Sequence, residues 1–229
     1  RCEDRGAQAS KTVYGSGAKK GPFPGLLHRF KRPAISDFAA FARLWENATA
    51  RDYLCYGGIE GVEATGRRKK KEGGDGGVLI KATDTTVVLI DIDKAPTPTD
   101  KQWWKNPSSI SYFVRHQIIK KLPKQFHDTK YILQLSAGAN PHSFRCRLAF
   151  LLDRPVSLSQ LKRYLCDGKA IKEGFVDKGI FKTGSSFSIG PPIFRGCEDI
   201  FAQRLFVEND RHYADTVTLP LLTIKKDLE

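Results

Sequence analysis

The sequence predicts an α+β (α/β) domain, and three observations predict it. Apolar runs of strand length, such as VVLIDI, YILQL and CRLAFLL, alternate with stretches whose apolar residues recur at helical spacing. Gly, Pro, Asn and Ser fall between these segments, where turns and helix caps need them. The 229 residues, 40% hydrophobic and 28% charged, carry enough apolar material for a sizeable core.

The elements follow in order. Residues 1–35 are rich in Gly, Lys and Arg without periodicity and read as a loosely ordered basic lead-in; residues 36–229 read as one domain. SDFAAFARLWENATARD, with Ser36 as N-cap and Phe38, Phe41, Leu44 and Trp45 on one face, predicts a helix of about four turns. YLCYGG is a short strand, GRRKKKEGGDGG a loop, and GVLIKA and TTVVLIDID two strands. NPSSISYFVRHQIIKKLP starts a helix at Asn106 and Pro107, lays Ile110, Phe113, Val114 and Ile118 in a stripe, and stops at Pro123. YILQLSAG and FRCRLAFLLDRP are strands, and SLSQLKRYLCDG is a helix capped by Ser157 and closed at Gly168. FVD, PPIFRG and IFAQRLFVEN read as further short β segments.

Composition narrows the class. The net charge of +13, from 38 Lys and Arg against 25 Asp and Glu, favours a polyanionic partner. Five cysteines, with no CxxC spacing, argue against a zinc site or a disulfide framework and for buried thiols in a reducing cytoplasm. No apolar run reaches the roughly 18 residues of a membrane span. The start RCEDRG, the lack of Met and the ending TIKKDLE are expected of a piece excised from a longer chain, with a further domain following.

Three clusters carry chemistry. Asp91 and Asp93 end the most apolar strand, and side chains at i and i+2 point to the same side, about 6.5–7 Å apart. Carboxylates that close repel unless a proton or a divalent cation neutralises them, and Mg²⁺ or Mn²⁺ suits such oxygens while leaving room for phosphates. A bare DxD fits a turn cap with a solvated partner equally well, and it occurs in nucleases and glycosyltransferases. In LSAGANPHSFRCRLAFLLDRP, Ser136, Gly138, His142, Arg145 and Arg147 surround a strand–loop–strand; the arginines share a face, suited to bidentate phosphate binding. Asp177 follows apolar residues in GFVDKGIFK and is a candidate third carboxylate for a pair of cations. Arg195 and Arg204 are candidates for a phosphate or template wall, and Arg67, Arg68, Lys69, Lys70 and Lys71 for a grip on a nucleic-acid backbone.

The order DID, then a Ser/Gly loop leading into RCRLAFLLDRPVSLSQLKRYL, then VD, then PPIFRG, resembles the primase-polymerase (Prim-Pol) branch of the archaeo-eukaryotic primases of plasmids and phages. The resemblance covers residues 78–208 and is most specific in LAFLLDRPVS with the helix after it. It implies an RRM-like catalytic sheet packed with an N-terminal α/β unit. It implies that Asp91, Asp93 and Asp177 hold Mg²⁺ or Mn²⁺ and that Arg145 and Arg147 contact the phosphates of a nucleoside triphosphate. A single-stranded or primed DNA template and a replicative helicase, in trans or as a missing C-terminal domain, are the partners it implies. Two departures stand out: Arg147 occupies the family's usual His position, with His142 nearby, and Ser185, Ser186, Phe187 and Ser188 replace a Gln-x-His-Tyr element. Two rival readings are a catalytically degenerate nucleic-acid-binding module and a DxD nuclease or glycosyltransferase.

Overall fold

The computed structural model describes residues 11–14, 17–19, 28–31, 33, 35–66, 68–69, 77–167 and 175–220. The chain opens with β1 (Thr12–Tyr14), β2 (Gly17–Lys19) and β3 (His28–Lys31), followed by α1 (Phe38–Glu46). Next come β4 (Tyr53–Cys55), β5 (Glu63–Gly66), β6 (Arg68–Lys69), β7 (Val78–Leu79) and β8 (Thr85–Ile92). After α2 (Pro107–Phe113) lie β9 (Tyr131–Leu135), β10 (Cys146–Val156) and α3 (Leu158–Lys162). β11 (Ser186–Ser188), β12 (Ile193–Arg195) and β13 (Leu205–Glu208) complete the set. Mixed helices and strands make this an α+β protein, as the alternating periodicities predict.

The main sheet is antiparallel, in the order β13-β9-β10-β8. β8 and β9 run parallel with β10 between them, a split β-α-β arrangement whose crossover contains α2. Apolar residues fill both faces. On one, Phe126 and Tyr131 pack their rings on Phe150 at 4.9 and 5.6 Å, and Phe144 meets Trp103 and Phe113. On the other, α1 and the segment around Tyr56 lie over Val87 and Leu89. Phe38, Phe41 and Trp45 of α1 join the sheet residues in one buried core.

Local chemistry explains most element bounds, and several differ from the sequence expectation. α1 begins one residue later than expected because Asp37, not Ser36, caps it by accepting a hydrogen bond from the Ala40 N–H at 2.7 Å. It is also shorter: Asn47 closes it, and Asp52 draws the Thr49 N–H and hydroxyl into a turn. Asn106 and Pro107 start α2 as expected, its carboxamide oxygen accepting from the Ser108 and Ser109 N–H groups. The helix then widens into a π turn at Val114–Ile118 and tightens again at Ile119–Lys121. Ser157 and Gln160 form a reciprocal capping box at α3; Gly168, the expected stop, lies outside the described residues.

Three corrections concern β structure. Within the stretch read as a loose lead-in, β1 pairs parallel with β12 and β3 pairs antiparallel with β5, pairings across long sequence separations that no local pattern announces. FVD is not a strand; Phe175 and Val176 are buried and Asp177 caps the turn Lys178–Ile180. Ser186–Ser188, expected to lack the family's element and given no structure, is a strand paired with β4. Among the described residues no helix is long and apolar enough to cross a membrane. Cys146 is buried and Cys55, Cys166 and Cys197 are partly buried, which agrees with cysteines acting as small hydrophobes; Cys2 lies outside the described residues.

Candidate active site at the end of the main sheet

Strand register builds the site. β8 and β10 pair so that Asp91 faces Arg147 directly and Ile92 faces Cys146. Beyond the paired residues, Asp93 lies in the bend after β8 and Arg145 just before β10, and the two side chains meet there. Arg147 Nε lies 3.8 Å from Asp91 Oδ1, and Arg145 lies 3.9 Å from Asp93 Oδ1. The inner pair is mostly buried, with side chains 16% and 21% exposed, whereas Arg145 and Asp93 are about half exposed. Two carboxylates and two guanidiniums therefore form a two-by-two array running from the core to solvent, as the period of two predicts.

Both pairs are looser than a hydrogen-bonded guanidinium–carboxylate contact of about 2.7–2.9 Å. Arg147 Nε is buried without a hydrogen-bond partner among the described residues. Its Nη1 instead donates to the Ser188 carbonyl and to Gln134 Oε1, and its guanidinium lies over the Phe187 ring at 5.5 Å. Gln134, directly opposite on β9, donates to the carbonyls of Ile189 and Gly190. The arginine is thus clamped between β9 and the 186–190 segment, with one edge turned to Asp91.

Asp177 reaches the cluster through the backbone. Its N–H donates to the Asp91 carbonyl at 3.1 Å on the edge of β8 opposite β10, while its Oδ1 accepts from the Gly179 N–H. Burial raises the Asp91 pKa above the ordinary carboxylate range; the Arg147 charge opposes this, Asp93 and Asp177 add to it, and Lys11 lowers it. Lys11 arrives because its carbonyl accepts from Ile193 beside the β1–β12 pairing. A carboxylate held under such repulsion fits a hard cation taken through one or two carboxylates together with phosphate oxygens. It does not fit an all-protein cage: among the described residues no three His, Cys, Asp or Glu side chains converge as a metal site.

The raised pKa sets a direction for stability. The folded chain binds the Asp91 proton more tightly than the unfolded chain, so stability falls as pH rises from the ordinary carboxylate range through the raised value. Asp91→Asn is expected to remove that part of the fall. Thermal unfolding from about pH 4 to about pH 7 should then show the variant gaining on the parent as pH rises; a pH-independent gap would contradict this.

The remaining expected residues divide. Ser136 lies beside the array, its N–H donating to the Arg145 carbonyl. His142 sits in the loop between β9 and β10, its carbonyl accepting from Thr97 and its N–H donating to Asn140; none of its described contacts is with Asp91, Arg145 or Arg147. Arg195 is exposed on β12, opposite Tyr14 of β1. Arg204 is engaged elsewhere: two bonds hold it to Asp199 and a third to the Ser136 carbonyl, so it braces the loop. Arg68 and Lys69 form a strand paired with Val78–Leu79, while Arg67, Lys70 and Lys71 lie outside the described residues.

Lys11, Gln134 and Phe187 were missed in the sequence. Gln134 had a visible signal, being the lone polar residue in YILQL; Lys11 had none, because only long-range pairing brings it in. A cavity of about 940 Å³ lies between α1, Tyr53, Tyr56 and the start of β8, and none of the array residues lines it. Comparison with protein-family models, curated proteins and solved structures finds no match to this chain.

Proposed function

We propose that the chain is a nucleotidyltransferase that joins nucleotides on a DNA template, making primers, extending them, or both. The observation that carries this is the array of Asp91, set opposite Arg147 by strand register, and Asp93 beside Arg145, with Asp177 tied to the Asp91 carbonyl. In this reading the four-stranded sheet is an RRM-like catalytic core, a view that rests on the split β8-α2-β9-β10 unit, in which β10 lies between parallel β8 and β9. It also agrees with the family resemblance of DID, RCRLAFLLDRP, VD and PPIFRG.

Asp91 and Asp93 would hold Mg²⁺ or Mn²⁺, with Asp177 at the outer edge. Such a cation, when bound, supplies charge neutralisation at the transferring phosphate and its leaving group. Arg145, half exposed, orients the triphosphate; Arg147 offers a fixed positive edge whose position Ser188 and Gln134 hold. Lys11 adds a further cation near the phosphates. The net charge of +13 retains the template.

Asp91, Asp93 and Asp177 repel one another while Arg145 and Arg147 stand beside them, so a bound cation favours a phosphate anion at the arginines and the anion favours the cation. Mn²⁺ and tripolyphosphate are therefore expected to strengthen each other's binding by about 5- to 150-fold. Titration calorimetry with each alone and with both measures this; independent affinities would contradict it.

One observation favours a second reading, a nucleic-acid-binding module without catalysis: among the described residues no three-carboxylate metal cage converges, and Arg147 is committed to structural bonds. The discriminating experiment is incorporation of labelled nucleotides on unprimed and primed templates, with Mg²⁺ and with Mn²⁺. Template binding with no incorporation under any of these conditions would favour the module.

A further inference from the structure

A second concave surface lies at the opposite corner of the same sheet. It is a groove of about 430 Å³ between α2 with its π turn and the start of β13. Tyr112 stands in it 67% exposed, the most exposed aromatic ring among the described residues. One turn on, the His116 ring lies against it, with ring centroids 4.2 Å apart and planes 39° apart. Ser108, Ser111 and Gln203 add hydrogen-bonding groups, Arg115 adds a cation, and no carboxylate is among the lining residues.

A structural role does not account for Tyr112. Its neighbours Ile110 and Val114 face the core, and the helix is anchored without it. Arg115 has such a role, joined to Glu208 at 2.9 Å and lying over the Tyr213 ring. That fixes the groove wall. The π turn, a form concentrated at functional sites, holds Arg115 and His116 of the groove wall.

The groove connects to the candidate active site by a continuous row. Gln203 adjoins Arg204, whose Nη1 donates to the Ser136 carbonyl. The Ser136 N–H donates to the Arg145 carbonyl, and Arg145 faces Asp93. Crossing from β13 to β8 takes three strand spacings, roughly 14 Å, and Phe206 of the groove lies on the face opposite Arg147 and Asp91, so a strand reaches the array by passing round the end of the sheet.

We propose that single-stranded nucleic acid, entering as template, stacks a base on Tyr112 and runs along the end of the sheet to the Asp93–Arg145 corner. A nucleic-acid strand offers what this surface takes: flat rings for exposed Tyr112 with the His116 ring against it, sugar and phosphate oxygens for Ser108, Ser111 and Gln203, and negative charge for a chain of net charge +13. Calling the strand a template rests on the nucleotidyl-transfer reading; the stacking does not.

The test is fluorescence anisotropy of a labelled oligothymidylate of about 12 nucleotides, within the usual range of single-strand site sizes, with the full chain. Tyr112→Ala is expected to weaken binding roughly 5- to 150-fold, the effect of losing one base–aromatic stack, while Tyr112→Phe and Tyr112→Trp retain it. Unchanged affinity of Tyr112→Ala would overturn the proposal, as would a parent that binds no oligonucleotide. So would thymidine triphosphate binding as tightly as the oligonucleotide with the same dependence on Tyr112. Absent incorporation with Tyr112-dependent binding intact would instead remove only the nucleotidyl-transfer reading.

Discussion

Asp91→Ala with Asp93→Ala is expected to lower templated incorporation by at least about 10³-fold, the scale of losing preorganised charge in a water-poor site. The protein should nevertheless remain folded. Asp93 is half exposed, and ionised Asp91 is already disfavoured by burial and by its acidic neighbours. Arg147 loses its counter-charge but keeps its bonds to Ser188 and Gln134. The measurement is labelled-nucleotide incorporation beside a thermal melt of the same preparation. Incorporation near the parental rate would end the account of this corner as an active site; loss of incorporation with an intact melt and intact template binding would establish it.

Gly190→Ala is expected to cost about 3 kcal/mol, the upper part of the range for overpacking a rigid contact. A Cβ at Gly190 would stand 1.8 Å from the Thr49 carbonyl oxygen and 2.9 Å from the Ala50 nitrogen. Both are backbone atoms that no rotamer change can withdraw. The glycine is needed here for close approach: the turn after α1 lies directly on the segment that also accepts from Gln134. At this chain length the unfolding midpoint should drop by roughly 6–12 °C. The Ser188 carbonyl, which holds Arg147, would shift with the segment, so triphosphate binding should weaken too. A midpoint within a degree of the parent would show that the two segments do not rest on one another.

The site was legible in the sequence to the extent that it is made of period-two pairs. Asp91 with Asp93, and Arg145 with Arg147, were placed on shared faces by strand geometry alone, and the tertiary structure then set Asp91 opposite Arg147 by register and brought Arg145 to Asp93 just beyond the paired strands. Asp177 was legible as an acid but not as a position. FVD was read as a strand, whereas a single backbone hydrogen bond to Asp91 and an N-cap bond to Gly179 hold that carboxylate. His142 and Arg204 show the opposite failure: residues of suitable chemistry whose described hydrogen bonds are those of loop structure, His142 through its backbone to Thr97 and Asn140 and Arg204 to Asp199 and the Ser136 carbonyl.

The sequence by itself determined the alternation of strands and helices, the α2 and α3 N-caps, the apolar stripe of α2 and the polar end of β8. All of these follow from contacts within a few residues or from the fixed periods of strand and helix. Only the tertiary structure decided which strands pair, that β1 reaches β12 and brings Lys11 toward Asp91, and that Gln134 and Ser188 clamp Arg147. It also decided that the groove at Tyr112 and the acidic pair share one end of one sheet. Those outcomes depend on pairings between residues far apart in the chain, set by which combination of faces buries the most apolar surface while satisfying backbone hydrogen bonds, and no local pattern encodes that choice.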